Sequence, residues 1–396
     1  MSFSKKGRLL LFFLLLLCLI AGVTIYFSST DSANPVPEQP IDISESMAAV
    51  LYSTSLTAEY DNDGKSILAF IHESGEISSY ETTGLESNAI VKLDNELLLH
   101  EKDQVTAFTD EGQPQHHPFE ACSVYSGYGQ STGSIIEKDL SYSMFNQSYS
   151  EDQSYYISTI RWSIGDSFYC ETIEEYVLTD GVVGDKLYLL TTDIIEHRGL
   201  SLIEVDFQTD QLNVQAYPLN EELTEDLLVF SKLITDQNDQ LYVLLSDYED
   251  SVIYLKLMHI DLNQPSIIGE YVLKEYSLED DPIYFIFNKN AVQPIQGKLY
   301  FPDGFGDMYS FHLSSKEISH EFSFLDYARE EYENDEMVYI KDDLFYFFRY
   351  DEQENRHILE EYQLDGERTK QIEISTELQE LIRNERVHIY DFKMLD

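Results

Sequence analysis

Residues Leu227–Leu273 read LLVFSKLITDQ (227–237), NDQLYVLLSDY (238–248), SVIYLKLMHID (251–261) and SIIGEYVL (266–273). Four short apolar runs are separated by polar breaks at Asp239 and at Asn263-Gln264-Pro265. Each run has strand length, and in a strand successive side chains point to opposite faces. Leu241, Val243 and Leu245 then share one face, with Tyr242 and Leu244 on the other. In the third run Ile253, Leu255 and Leu257 oppose Val252, Tyr254 and Met258. Both faces are mostly apolar. A sheet wetted on one side would alternate apolar with polar residues, so these strands are expected to be covered on both faces by similar sheets.

Working outward, the same unit recurs, and seven are expected from Met47 onward. The first holds AAVLYSTSLTAEY, SILAFIHES and EISSYETT and is one strand short. The second spans Ala89–Phe119, the third Ser134–Leu178 after a Gly/Ser-rich loop at Tyr125–Ser134, and the fourth Gly181–Leu219. The opening stretch is the fifth, Ala291–Phe324 the sixth and Glu336–Ile374 the seventh. A polar turn followed by Leu-aromatic marks DKLYLL, DQLYVLL, GKLYF and DDLFYFF. Their leading residues Leu187, Leu241, Leu299 and Leu344 are 54, 58 and 45 positions apart. Helical signals fall at Asn220–Phe230, Leu325–Asp335 and Thr376–Arg386. The last has Leu378, Leu381 and Ile382 on one face, and Thr376 with Gln379 fits a capping box. The chain then ends on a strand-like run, Val387–Leu395, which needs a partner because an open strand edge invites unwanted pairing.

These repeats resemble the β-propeller superfamily. The resemblance covers Met47–Asp396 without the GH…WD signature of WD repeats or the double glycine of kelch repeats. It implies an all-β ring of seven four-stranded blades, with the C-terminal strand completing the short first unit. The blade spacings are near or above the 40–50 residues of common propellers.

The N-terminus has another character. Leu9–Phe27 carries no charge and, at about 1.5 Å per residue, spans roughly 28 Å as a helix, close to the hydrocarbon thickness of a bilayer. Lys5, Lys6 and Arg8 precede it, and no acid precedes Asp31. The positive-inside rule then leaves residues 1–8 as a cytoplasmic tail, 9–27 as a transmembrane anchor and the rest outside. The run is longer than a signal-peptide core, and Asp31-Ser32-Ala33 is a poor cleavage site. Leu17 before Cys18 lacks the small residue of lipoprotein signals. Residues 28–46, with three prolines before Asp42 and no aromatic, read as a flexible linker. Residues 47–396 form the extracytoplasmic domain. Localisation at the cell membrane, single-pass, with an extracellular C-terminal domain follows. The short basic lead with an anchor resembles bacterial surface proteins.

The 396 residues carry 73 acids against 25 bases, a formal charge of −48. With the three leading bases inside the cell, the remainder holds 73 acids and 22 bases, a net of −51. Such a surface repels nucleic acid and anionic lipid heads. It serves solubility in an anionic or saline exterior, or it meets a cationic protein or cell-wall component. The 29 Tyr and 22 Phe suit β-structure rather than disorder. Cys122 and Cys170 either form one bridge or remain two buried thiols, and spacing alone does not decide between them.

No specific catalytic or cofactor motif is present: GxSxG, HExxH, the phosphate-binding GxxxxGK[ST] and paired CxxC are all missing. His116-His117 has the residue type of a metal site but reads as an exposed loop pair. Asp61-Asn62-Asp63-Gly64 begins like a calcium loop, yet its glycine falls too early, so it reads as a turn. Asp303-Gly304-Phe305-Gly306-Asp307 reads as a hairpin turn that could face the ring mouth. Trp162 suits core packing better than a sugar or a cation. The leading functional expectation is a membrane-anchored binding or scaffold propeller for a protein or cell-surface ligand. The alternative is an extracellular glycan- or peptide-directed hydrolase or lyase with paired carboxylates in the funnel.

Overall fold

In the computed structural model the chain separates into two units, Met1–Glu38 and Gln39–Asp396. The described residues are 41, 43–55, 64–84, 88–110, 112–118, 128–165, 167–193, 198–219, 227–236, 240–249, 251–277, 288–327 and 335–395. The expected cytoplasmic tail and anchor, residues 1–27, and most of the linker lie outside them. No helix among the described residues is long and apolar enough to cross a membrane.

Seven antiparallel sheets make the second unit. Blade I is ordered His388–Met394, Ser46–Ser53, Ser66–His72, Ile77–Thr82. Its innermost strand is therefore the last of the chain. Ala48 pairs with Met394 and Val50 with Phe392, so the terminal run closes the ring as expected. Blade II holds Ala89–Lys92, Leu97–His100, Gln104–Phe108 and Gln115–Pro118. Blade III holds Tyr128–Ile135, Leu140–Tyr149, Tyr156–Ile164 and Ser167–Ile173. Blade IV holds Tyr176–Val183, Lys186–Asp193, Arg198–Phe207 and Leu212–Pro218. In blade V the inner position is split between Leu228–Val229 and Ile234–Thr235, followed by Gln240–Glu249, Val252–Asp261 and Ser266–Ser277. Blade VI runs Gln293–Ile295, Lys298–Pro302, Asp307–His312, Ile318–Ser323. Blade VII runs Met337–Lys341, Leu344–Asp351, Arg356–Tyr362, Arg368–Glu373.

Alternation within one strand feeds two interfaces. Leu241, Val243 and Leu245 pack with Leu190, Leu200 and Leu202 of blade IV. Tyr242 and Leu244, one residue out of phase, pack with Leu299 and Phe301 of blade VI. This is why both faces of the opening stretch are apolar: each blade is sandwiched by its neighbours. The Leu-aromatic signature falls on the second strand of its blade. Leu187 pairs with Val182 and Leu299 with Pro294 of the inner strands. In blade VII the equivalent residue is Phe345, paired with Ile340, so Phe345-Tyr346 rather than Leu344-Phe345 matches the signature.

Several expectations are corrected. Tyr128–Ile135 is the inner strand of blade III, although its Gly and Ser content reads as loop. Its glycine at 133 has a packing reason, since a Cβ there would meet the Tyr142 ring at 2.6 Å. Tyr176–Val183 belongs to blade IV, so the third unit ends at Ile173 and the fourth begins before Gly181. The described part of the Asn220–Phe230 helix signal contains the strand Leu228–Val229, and Leu325-Asp326 of the next signal forms a turn. Helix α1, Thr376–Glu385, is present, but Ser375 caps it by accepting the Glu377 N–H. The predicted Thr376/Gln379 box does not form, and the Gln379 side-chain oxygen is buried without a partner among the described residues. Leu378 and Ile382 of α1 pack between blades VII and I. The linker ends sooner than residue 46: Ile41 and Ile43 are buried against blades I and II, and the Ile41 N–H reaches the Gly112 carbonyl at 2.9 Å. Cys170 is disulfide-bonded, which overturns two separate thiols; Cys18 and Cys122 lie outside the described residues.

Candidate ligand site in the central channel

The inner strands line the ring's axis, each touching the inner strand of the next blade, except that the inner strand of blade VII meets blade VI through the 3-10 turn Lys289–Ala291. An inner strand exposed to a water-filled channel would carry polar side chains on that face. Blade IV supplies VLTDGVV (177–183), where Asp180 interrupts an apolar run and is fully buried. A buried carboxylate survives only with donors around it. Here the Ser131 hydroxyl from blade III and the Tyr142 hydroxyl donate to it, and the Lys232 ammonium from blade V lies 3.3 Å away. Burial alone would raise the Asp180 carboxyl, but Lys232 and the two hydroxyls outweigh that and hold it below the ordinary carboxylate range.

Glycine at 181 makes this geometry possible. A Cβ there would come within 2.1 Å of the Leu233 carbonyl oxygen. The bare backbone lets blades IV and V meet, and the Leu233 N–H donates to the Asp180 carbonyl at 2.7 Å. Lys232 is thereby aimed across blade IV, and its ammonium also donates to the Thr132 carbonyl of blade III. One blade further round, Lys289 opens a short 3-10 turn, Lys289–Ala291, and donates 2.7 Å to the Leu178 carbonyl of blade IV. Burial lowers the Lys289 ammonium to about 8, despite the nearby Asp180 carboxylate and with Lys232 adding repulsion. Two lysines thus reach over a neighbouring blade and form a polar layer across the channel.

Beside this layer lies a cavity of about 170 Å³, bounded by Lys92, Thr132, Asn290, Gln293, Tyr339 and Lys393 from blades II, III, VI, VII and I. Lys393 is nearly buried and pairs with Asp391 at 3.0 Å, two residues back on the same side of the strand. Burial, reinforced by Asp391 and Asp342, pushes the Tyr339 phenol up to about 12, so it stays a hydrogen-bond donor. Lys92, Ser134 and Tyr339 also border a wider mouth of about 840 Å³. Its rim includes Asp94, Asp110, Asp139, Lys341 and the 83 % exposed Ile136. The arrangement can bind: it offers two ammoniums, a phenol and two amides from four blades.

The residues singled out in the sequence fall elsewhere. His116 and His117 sit on the outermost strand of blade II, pointing to opposite sides. His116 meets the Thr106 hydroxyl at 3.1 Å and His117 packs on Phe168 at 5.0 Å. No group of three His, Cys, Asp or Glu residues among the described residues could hold a metal. Asp61–Asp63 lie outside the described residues. Asp303 is buried inside its hairpin: it accepts the Phe305 and Asp307 N–H groups at 3.0 Å each and the Lys274 ammonium at 2.7 Å. Trp162 is fully buried, stacked on Tyr169 at 5.7 Å, and is a core residue. Asp180, Lys232, Lys289 and Lys393 were missed. Asp180 and Lys393 are charges within inner strands, whereas Lys232 lies between two short strands and Lys289 in a 3-10 turn, and the four come from four separate blades.

The chain matches the family described as "YycP, beta-propeller domain" over residues 42–395. It is 25 % identical over 394 residues to the YycP protein of Bacillus subtilis (strain 168), covering 95 % of this chain and 96 % of that one. Two solved structures are similar in architecture. Apo AztD from Citrobacter koseri matches with TM-score 0.41 and 10 % identity over 83 % of this chain and 96 % of that chain. BamB from Moraxella catarrhalis matches with TM-score 0.42 and 8 % identity over 78 % and 90 % respectively. With the match beginning at the point where the chain enters the ring and ending on the strand that closes it, this protein belongs to the YycP β-propeller family.

Proposed function

We propose that this protein is a membrane-tethered binding propeller of the cell exterior, engaging its ligand or partner at the channel mouth. The observation that carries the reading is the mouth itself, an opening of about 840 Å³ continuous with a polar cavity built from five blades. Concave sites with a few convergent polar groups are where ligands bind. Two features support an extracytoplasmic position: the uncharged run Leu9–Phe27 behind Lys5, Lys6 and Arg8, and the disulfide at Cys170, since disulfides persist in oxidising compartments. The acidic exterior fits a cationic protein or cell-wall component, whose association rate falls with salt.

The test uses the full chain in intact cells, with a photo-crosslinking amino acid at Ile136 on the mouth rim or, as control, at Val214 on the outer strand of blade IV. Adducts at Ile136 and not at Val214, from a domain cleavable by external protease, are expected. No adduct at Ile136, equal adducts at both positions, or a protease-shielded domain would overturn the reading.

A further inference from the structure

We infer that the inner cavity of the channel is an oxyanion site, which takes the carboxylate or phosphate group of a small ligand entering through the mouth. It rests on the reading of the mouth as the binding end of the ring. The first argument is charge. Acids outnumber bases about threefold in this chain, 73 to 25, so a wall drawn at random would be acidic. The cavity instead has Lys92 and Lys393 among its lining and no carboxylate. The polar layer beside it adds Lys232 and Lys289. Asp391 pairs with Lys393 and Asp180 with Lys232. Lys289 has no carboxylate within ion-pair distance among the described residues, and it instead donates to the Leu178 carbonyl.

The second argument is donor geometry. Lys92 folds back so that its ammonium donates to the Leu93 and Asp94 carbonyls, the second at 2.9 Å, and an anionic oxygen would attract that ammonium with a full charge where a carbonyl offers only a dipole. Asn290 and Gln293 add amide donors and Tyr339 a phenolic one, protonated across the neutral range. The third is scale. The acidic exterior repels anions, but at physiological ionic strength its field decays over about 8 Å. Ammoniums in the wall of a narrow, low-dielectric channel act at contact distance and are screened far less. The local positive field therefore wins once an anion is past the rim. A volume of about 170 Å³ suits one oxyanion group, with the remainder of the ligand in the wider mouth.

The experiment is isothermal titration of the full chain in detergent with inorganic phosphate, with acetate and with neutral acetamide. Binding of phosphate or acetate, and of acetamide at least tenfold more weakly, is expected. Which of the two anions binds tighter identifies the group. Lys92→Met and Gln293→Leu should each weaken the anion at least fivefold with an unchanged melting temperature. Lys92 is partly exposed and Gln293 half-buried, so both variants are expected to fold. If neither anion binds the native chain, if acetamide binds as well, or if both folded variants bind like the native chain, the oxyanion site is wrong. Crosslinking at Ile136 is read separately, so capture at the mouth can persist while the oxyanion site fails.

Discussion

The Lys232 ammonium lies 3.3 Å from an Asp180 carboxylate oxygen that is wholly buried, and the pair joins blade V to blade IV while the same lysine reaches blade III. Removing one partner of a buried pair leaves an uncompensated charge, which typically costs 3–5 kcal/mol. Asp180→Asn strands two ammoniums in the channel and is expected to destabilise by about that much in urea unfolding. The double variant Asp180→Asn/Lys232→Met should recover part of the loss. If the two changes simply add, the pair is not coupled.

Ring closure rests on Phe392, fully buried between blades and stacked on Phe348 at 5.7 Å. Phe392→Ala should cost about 3–5 kcal/mol, the range for a large core aromatic. Truncation before Val387 removes the inner strand of blade I and uncovers the strand Ser46–Ser53. A lower melting temperature for the whole domain is expected, and unchanged melting of the truncated chain would refute closure by this strand.

His100 is buried at the boundary of blades II and III, with its Nδ1 2.8 Å from the Ser143 hydroxyl. Burial, with the Arg161 guanidinium adding to it, lowers the imidazole to about 3. The unfolded chain holds a proton there from about 6.5 downward. Its contribution to stability is therefore complete above about pH 6.5 and is lost as pH falls toward 3, approaching about 5 kcal/mol in total. His100→Gln should flatten the acid limb of stability against pH relative to the native chain.

Lys289 acts with the same sign in the alkaline range. Its folded value of about 8 lies below the ordinary 10.5. The unfolded chain binds the extra proton between those values, so stability rises with pH from about 8 to about 10.5 and is weakest below 8. The difference in chemical-denaturation midpoint between Lys289→Met and the native chain should shrink across that interval. A constant difference would show that the ammonium is solvated in the channel.

Period-two alternation of apolar residues, the recurring Leu-aromatic turns and the orphan run Val387–Leu395 determined an all-β ring closed by its last strand. They did so because strand faces and repeat units are local properties of the chain. Local properties also explain the misreadings. Tyr128–Ile135 is glycine- and serine-rich because the inner strand of blade III packs its Gly133 under Tyr142, a tertiary demand with no local signature. Ser375 rather than Thr376 caps α1 because the strand before it ends at Glu373. The channel belonged wholly to the tertiary structure. Asp180, Lys232, Lys289 and Lys393 span 213 positions of sequence between Asp180 and Lys393 and belong to four separate blades. Only closing the ring sets ammoniums from blades V, VI and I around an axis that none of them reaches alone. A net charge of −48 hides that reversal, because composition sums over the surface while binding depends on the few charges that the fold turns inward.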